Sequence, residues 1–309
     1  MGDKITFSER LKTRIPSLRH FAGRARTDSR NIAYDLLPVL GLGQRQALVQ
    51  TLSAFAPKTP GLKLSARARA LLEQLREEGV TDMQPAIDPG WLADLVTYFK
   101  ATPCHDPYRP HLGSFRWDAP PSDEINIGYY SWNETLRAPH MAALMNQPDI
   151  LAVAEAYMGC KPVIDNIGIT WSYPGRETAK SVQRFHRDYD CARNFKAFYY
   201  LTDVDEASGP HRFVRGSHRD RRLDTGRAQT DEAIAATFGE ASIARITGPA
   251  GSWFLEDVYG FHKGQLPVDE PRLLLAIEYN LYPSPFCPRG SERLPLAGRD
   301  PYINKLVMA

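Results

Sequence analysis

Apolar residues recur at helical spacing in the first half of the chain and in short alternating or continuous runs in the second. The stretches 44–56 (QRQALVQTLSAFA), 65–79 (SARARALLEQLREEG), 90–100 and 148–158 (PDILAVAEAYM) predict helices. Ser65 is a suitable N-cap, and Gly79 and Gly159 stand just past two of the ends. Pro57, Pro60 and Gly61 separate the first pair. Residues 1–30 are polar and basic, with Leu11, Ile15, Leu18 and Phe21 at helix-like spacing that Pro16 interrupts. The Pro- and aromatic-rich stretch 101–123 predicts loop.

After residue 160 the pattern changes. Segments 162–173 (PVIDNIGITWSY), 195–202 (FKAFYYLT), 211–214 (HRFV), 252–257 (SWFLED) and 272–282 (RLLLAIEYNLY) are β-branched or aromatic and bounded by turn residues. Short strands without regular helices between them argue for an antiparallel sandwich or barrel and against a doubly wound parallel sheet. The expected class is α+β, mainly β. Residues 1–120 form a helical region packed on a barrel built from 121–309.

Composition narrows the function classes. No run of 18 apolar residues occurs, so a transmembrane helix is not expected. The four cysteines, Cys104, Cys160, Cys191 and Cys287, lack CxxC spacing, which argues against a disulfide framework or a structural zinc site and fits a reducing compartment. With no signal-like apolar segment at the start, the cytoplasm is the expected location. The net charge of +2 is unevenly spread: residues 1–80 carry 14 Lys/Arg against 7 Asp/Glu, and the remainder is net acidic. A basic front end could hold the protein peripherally at the inner face of an anionic membrane, or could be a solvated helical face. The acidic β half and the lack of a binding motif argue against a nucleic-acid partner.

The candidate chemistry centres on 181–190 (SVQRFHRDYD). On extended backbone His186 and Asp188, at i and i+2, point to one face. His262, after the 252–257 strand, can supply a third ligand. Two histidines and one carboxylate form the facial set of non-haem Fe(II) oxygenases, which leaves positions open for other ligands. Ten residues on, Arg272 opens an apolar strand. A buried guanidinium there either pairs with Glu256, Glu270 or Glu278 or receives a carboxylate ligand.

With Gln183-x-x-His186-Arg187-Asp188, the segments Tyr200–Asp205, Ser208–His218 and Gly248–Ser252, and then His262 and Arg272, the chain resembles the phytanoyl-CoA dioxygenase family. These are Fe(II)- and 2-oxoglutarate-dependent oxygenases. The resemblance covers about residues 160–285, and residues 1–120 match no family. It implies a double-stranded β-helix, a cupin-like jelly roll. It implies Fe(II), 2-oxoglutarate and O2 as cofactor and co-substrates, with His186, Asp188 and His262 as iron ligands. Arg272 would bind the distal carboxylate of 2-oxoglutarate, and Gln183 and His211 would lie along it. His211 departs from the family pattern. Related halogenases replace the carboxylate ligand by a small residue; Asp188 is present, so hydroxylation is the expected outcome.

The substrate is expected to be a small or lipid-linked molecule. Arg184 and Arg187 flank the ligands, in a cluster continued by Arg193, Arg212, Arg215, Arg219, Arg221 and Arg222. They could receive an anionic substrate (a carboxylated sugar, a phospholipid-like molecule or an acyl thioester) or pair with nearby aspartates. Tyr129, Tyr130 and Trp132 could line the pocket or belong to the core. The alternatives are a non-catalytic jelly-roll binding protein and a metal protein that does not use 2-oxoglutarate.

Overall fold

The computed structural model describes residues 36–309 except 285, 286 and 288, and also residues 22, 23 and 26. The helix-like spacing from Leu11 to Phe21 lies outside the described residues. The predicted helices are present as α1 (Leu42–Phe55), α2 (Ala66–Glu77) and α3 (Pro89–Ala101). Ser65 caps α2: its Oγ accepts from the Ala68 N–H at 3.0 Å. Asp88 caps α3 in the same way. Two short helices, α4 (Trp132–Arg137) and α5 (Met141–Met145), precede α6 (Pro148–Met158), which ends at Gly159 in the left-handed conformation. One further helix, α7 (Asp231–Phe238), lies within the β half.

Among the described residues, ten strands form two antiparallel sheets. The larger contains β1 (Cys104–His105), β2 (Ser114–Phe115), β3 (Ile127–Tyr129), β4 (Val163–Ser172), β5 (Asn194–Tyr200), β8 (Trp253–Glu256) and β10 (Arg272–Asn280), in the order β2-β1-β3-β4-β10-β5-β8. The smaller is β7-β6-β9, from Ile243–Ile246, His211–Val214 and His262–Gly264. Residues 101–123 are not wholly loop, because Cys104–His105 and Ser114–Phe115 pair at the end of the large sheet. The 80–84 segment also bridges to β8, with Val80 opposite Glu256 and Gln84 opposite Trp253.

Register explains the continuous apolar run of β10. On it, Leu273, Leu275, Ile277 and Tyr279 enter one core, which also holds Leu71, Leu75, Leu95, Phe99 and Ile150 from the helices. The alternate positions face the small sheet: Leu274 packs in a second core with Phe198, Tyr200, Phe213 and Phe254. A central strand covered on both faces needs apolar side chains on both. The helices therefore cover the outer face of the large sheet, and the inner face meets the small sheet. Among the described residues, no helix is long and apolar enough to cross a membrane.

Candidate metal and carboxylate site

A cavity of about 210 Å3 lies between the two sheets. The inner positions of the large sheet line one wall at alternate residues: Gly168, Thr170 and Ser172 on β4, Lys196 and Phe198 on β5, and Arg272, Leu274 and Ala276 on β10. His211 of β6, with His262 and Gly264 of β9, forms the opposite wall.

The site brings His186, Asp188 and His262 together, with one ligand atom of each within 4.8 Å of the others. Backbone pairing produces this arrangement. His186 and His262 exchange N–H to carbonyl bonds at 3.0 Å, and the Asp188 N–H donates to the Val258 carbonyl at 2.8 Å. The two imidazole centroids are 4.3 Å apart. His186 Nδ1 lies 2.8 Å from the Arg184 carbonyl, and His262 Nδ1 lies 3.0 Å from the Gly260 carbonyl. A carbonyl only accepts, so each Nδ1 carries the proton and each Nε2 keeps its lone pair. Those Nε2 atoms face Asp188, at 3.5 Å from Oδ1 for His186 and 3.9 Å from Oδ2 for His262.

Two charged side chains complete the setting: Lys196, which sequence reasoning passed over, and Glu256, which it considered only as a partner for Arg272. Lys196 Nζ donates to Asp188 Oδ2 at 2.6 Å and lies 3.6 Å from Glu278. Burial of Asp188 opposes ionisation, but Lys196 and the two imidazoles outweigh it and hold the carboxyl below its ordinary range. Glu256 is fully buried, 3.6 Å from His262 Nδ1 and 2.8 Å from His211 Nε2, although the latter approach is off the line of a hydrogen bond. Burial, against the attraction of His262, raises its carboxyl to about 8. Burial, reinforced by His186, lowers His262 to about 4, so the imidazole is neutral and free to bind a metal. The available signal was one charge in each apolar strand, in FKAFYY and WFLE.

Arg272 is 3% exposed and meets no carboxylate among the described residues. Its Nη2 donates only a long 3.4 Å bond to Ser172 Oγ, and its Nε and Nη1 are buried without partners. Gly264 leaves the guanidinium its space, since a Cβ there would lie 2.7 Å from Nη2. Gln183 also lines the cavity. Its Oε1 accepts from Asn126 Nδ2 at 2.8 Å and from the Lys180 N–H at 3.1 Å, while its Nε2 is buried and unpaired. Unsatisfied buried donors at one cavity are what a carboxylate ligand would satisfy. The donor set therefore fits both a divalent metal and an acidic co-substrate.

His211 borders the same cavity, stacked on His262 at 5.7 Å, and burial depresses its basicity well below the ordinary imidazole value. The arginines turn away. Arg187 is buried and donates to the carbonyls of Ser217, Tyr259 and Asp220, stacked on Phe261 at 4.0 Å. Arg184 is exposed, and neither it nor Arg187 lines the cavity. Arg212, Arg215, Arg221 and Arg222 instead pair with Glu240, Glu78, Asp224 and Asp220. Of the aromatic trio, Tyr130 and Trp132 are core, and Tyr129 lines the cavity.

No family model and no curated protein matches the sequence. Solved structures do. The epimerase SnoN, in complex with Fe3+, α-ketoglutarate and nogalamycin RO, is 22% identical; the match covers 76% of this chain and 93% of SnoN, with a TM-score of 0.50. HygX from Streptomyces hygroscopicus, with nickel and 2-oxoglutarate bound, is 16% identical over 80% of this chain and 96% of HygX, with a TM-score of 0.52. The fold is that of the non-haem iron, 2-oxoglutarate-dependent enzymes. HygX has also been solved with hygromycin B, at 16% identity and a TM-score of 0.51 over 72% of this chain and 89% of HygX. At such identities the likeness concerns architecture: helices packed on a jelly roll, with the cavity between its sheets.

Proposed function

We propose that this protein is an Fe(II)- and 2-oxoglutarate-dependent dioxygenase that oxidises a small molecule. The observation that carries this reading is one cavity holding both halves of the chemistry. Two imidazole Nε2 atoms and an ionised carboxylate converge there, and a buried arginine at the same cavity has two open donors. His186, Asp188 and His262 would hold the iron; Arg272, beside the Ser172 hydroxyl, would take the distal carboxylate of 2-oxoglutarate. Gln183 and His211 would border the co-substrate. When bound, iron and 2-oxoglutarate supply activation of O2 for attack on a carbon–hydrogen bond. The chain's own part is positioning and shielding. Lys196 keeps Asp188 ionised and fixes its orientation, and the two backbone carbonyls keep the imidazole lone pairs aimed inward.

The motif order from Gln183 to Arg272 supports a phytanoyl-CoA dioxygenase type, and the presence of Asp188 favours hydroxylation. SnoN and HygX, solved with nogalamycin RO and hygromycin B, support a small organic substrate. Ile127, Tyr129, Val182 and Phe198 would meet an apolar part of it. Arg184, exposed beside the candidate ligand segment, would meet an anionic part; Arg184→Ala would then raise the substrate KM. Peripheral membrane contact of the basic N-terminal region rests on charge alone. Co-sedimentation with anionic but not neutral liposomes would support it.

The deciding experiment is an anaerobic visible titration of the apoprotein with Fe(II) and then 2-oxoglutarate. A metal-to-ligand charge-transfer band is expected in the wild type and should weaken in Arg272→Ala. Folded, iron-loaded protein without a band would favour the non-catalytic binding protein. Product identification would then separate hydroxylation from epimerisation.

A further inference from the structure

A second cavity lies outside the metal site. It is a cleft of about 590 Å3 bounded by α1, the end of α2 and the loops at 191–193 and 257–259. It shares no lining residue with the metal cavity. Arg45, Arg76, Arg193 and Arg219 line it against a single carboxylate, Asp257. Among the described residues none of these guanidiniums is neutralised by a carboxylate; neutral oxygens hold them instead. Arg45 donates to the Ala192 and Cys191 carbonyls at 2.6 and 2.7 Å. Arg76 donates to the Ala156 carbonyl at 3.0 Å, Arg193 to the Tyr157 carbonyl at 3.1 Å, and Arg219 to the Glu77 carbonyl. Asp257 is itself taken up by the Tyr157 hydroxyl and the Tyr259 N–H.

Arg45 is the least expected of the four. It is 6% exposed, stacked 3.8 Å over the Tyr259 ring, and its Nη1 is buried without a partner. A desolvated guanidinium with an open donor is costly unless an acceptor comes to it. Four fixed cations against one engaged acid make a strongly positive, concave surface. Guanidinium forks match phosphate oxygens, and the volume is that of an organic ligand's pocket.

We propose that this cleft binds a phosphate ester carrying at least two negative charges. Arg45 and Arg193 form its floor, and the exposed Arg76 and Arg219 close over the charge from the rim. Because the floor cations are recessed, a free phosphate ester fits better than a headgroup in a flat bilayer. The site stands independently of the iron assignment.

The test is calorimetric titration of the full chain with sodium pyrophosphate at low salt, where screening is weak. One equivalent should bind. Arg76→Gln/Arg219→Gln should weaken binding by roughly tenfold or more with an unchanged melting temperature, since both side chains are exposed. Arg272→Ala should bind pyrophosphate as the wild type does, because Arg272 lies in the other cavity. No binding to the wild type would overturn the proposal. So would loss in Arg272→Ala with retention in the double variant, which would put the anion in the metal cavity. Binding to phosphatidic acid vesicles without binding to pyrophosphate would overturn it in favour of a membrane surface.

Discussion

The proposed role of Arg272 as an anion receptor rests on neighbours that leave its Nε and Nη1 without partners. Its replacement by Ala should raise the concentration of 2-oxoglutarate needed for half-saturation by roughly 100-fold or more, and Lys should not restore it, because an ammonium lacks the planar fork. Glu256, 3.6 Å from His262 Nδ1, would act on the metal through that imidazole. Glu256→Gln should weaken Fe(II) binding by about 10–100-fold, read by competition with a chelator, with little change in melting temperature of the metal-free protein. Asp165 offers a test of pH dependence away from the metal. It is fully buried, bonded to Asn280 Nδ2 at 2.8 Å and to the Ser284 N–H at 3.1 Å, with Arg289 beside it. Burial, only partly offset by Arg289, raises its carboxyl from 3.8 to about 6. The folded state then holds a proton that the unfolded chain has released. This contribution is complete below about pH 4 and is lost as the pH rises to about 6. Asp165→Asn should remove that decline, on the order of 3 kcal/mol, from unfolding curves compared at pH 4 and pH 6.5.

Elements set where these residues stand. β10 carries Arg272, the proposed receptor, on one face and the helix-facing core on the other, so its two faces can be tested separately. Leu275, fully buried toward the helices, should cost about 2–5 kcal/mol when replaced by Ala and leave 2-oxoglutarate affinity unchanged. Gly264→Ala, on the facing strand, should do the reverse: a stable protein with a displaced Arg272 and weakened co-substrate binding. The helices were legible from periodicity and caps, and α1, α2, α3 and α6 fall where the pattern puts them. The shorter elements were legible only in part: β6 and β8 fall within predicted segments, whereas β3, β7 and β9 do not, and their pairing comes from neighbours distant in sequence.

At the scale of the whole molecule, residues 42–101 are not an appendage. They supply Leu71, Leu75, Leu95 and Phe99 to the core behind the large sheet, and the 80–84 segment extends its edge along β8. A fragment of residues 121–309 should therefore be insoluble or bind hydrophobic dyes, whereas the full chain should not; a well-folded fragment would show that the helical region only decorates the barrel. The sequence by itself determined the class, the longer helices and strands and the candidate ligand residues, because hydrophobic period and residue type are local properties. His-x-Asp, a later His and a strand-opening Arg carry their chemistry in the side chains, wherever the chain takes them. Only the tertiary structure decided which charges meet. It turned Arg187 into a clamp on three backbone carbonyls and left Arg272 without a carboxylate. It set Lys196 and Glu256 around the candidate ligands and gathered four arginines into a separate cleft. Those outcomes depend on register and on contacts between residues as far apart in sequence as Arg45 and Tyr259, and no local pattern encodes them.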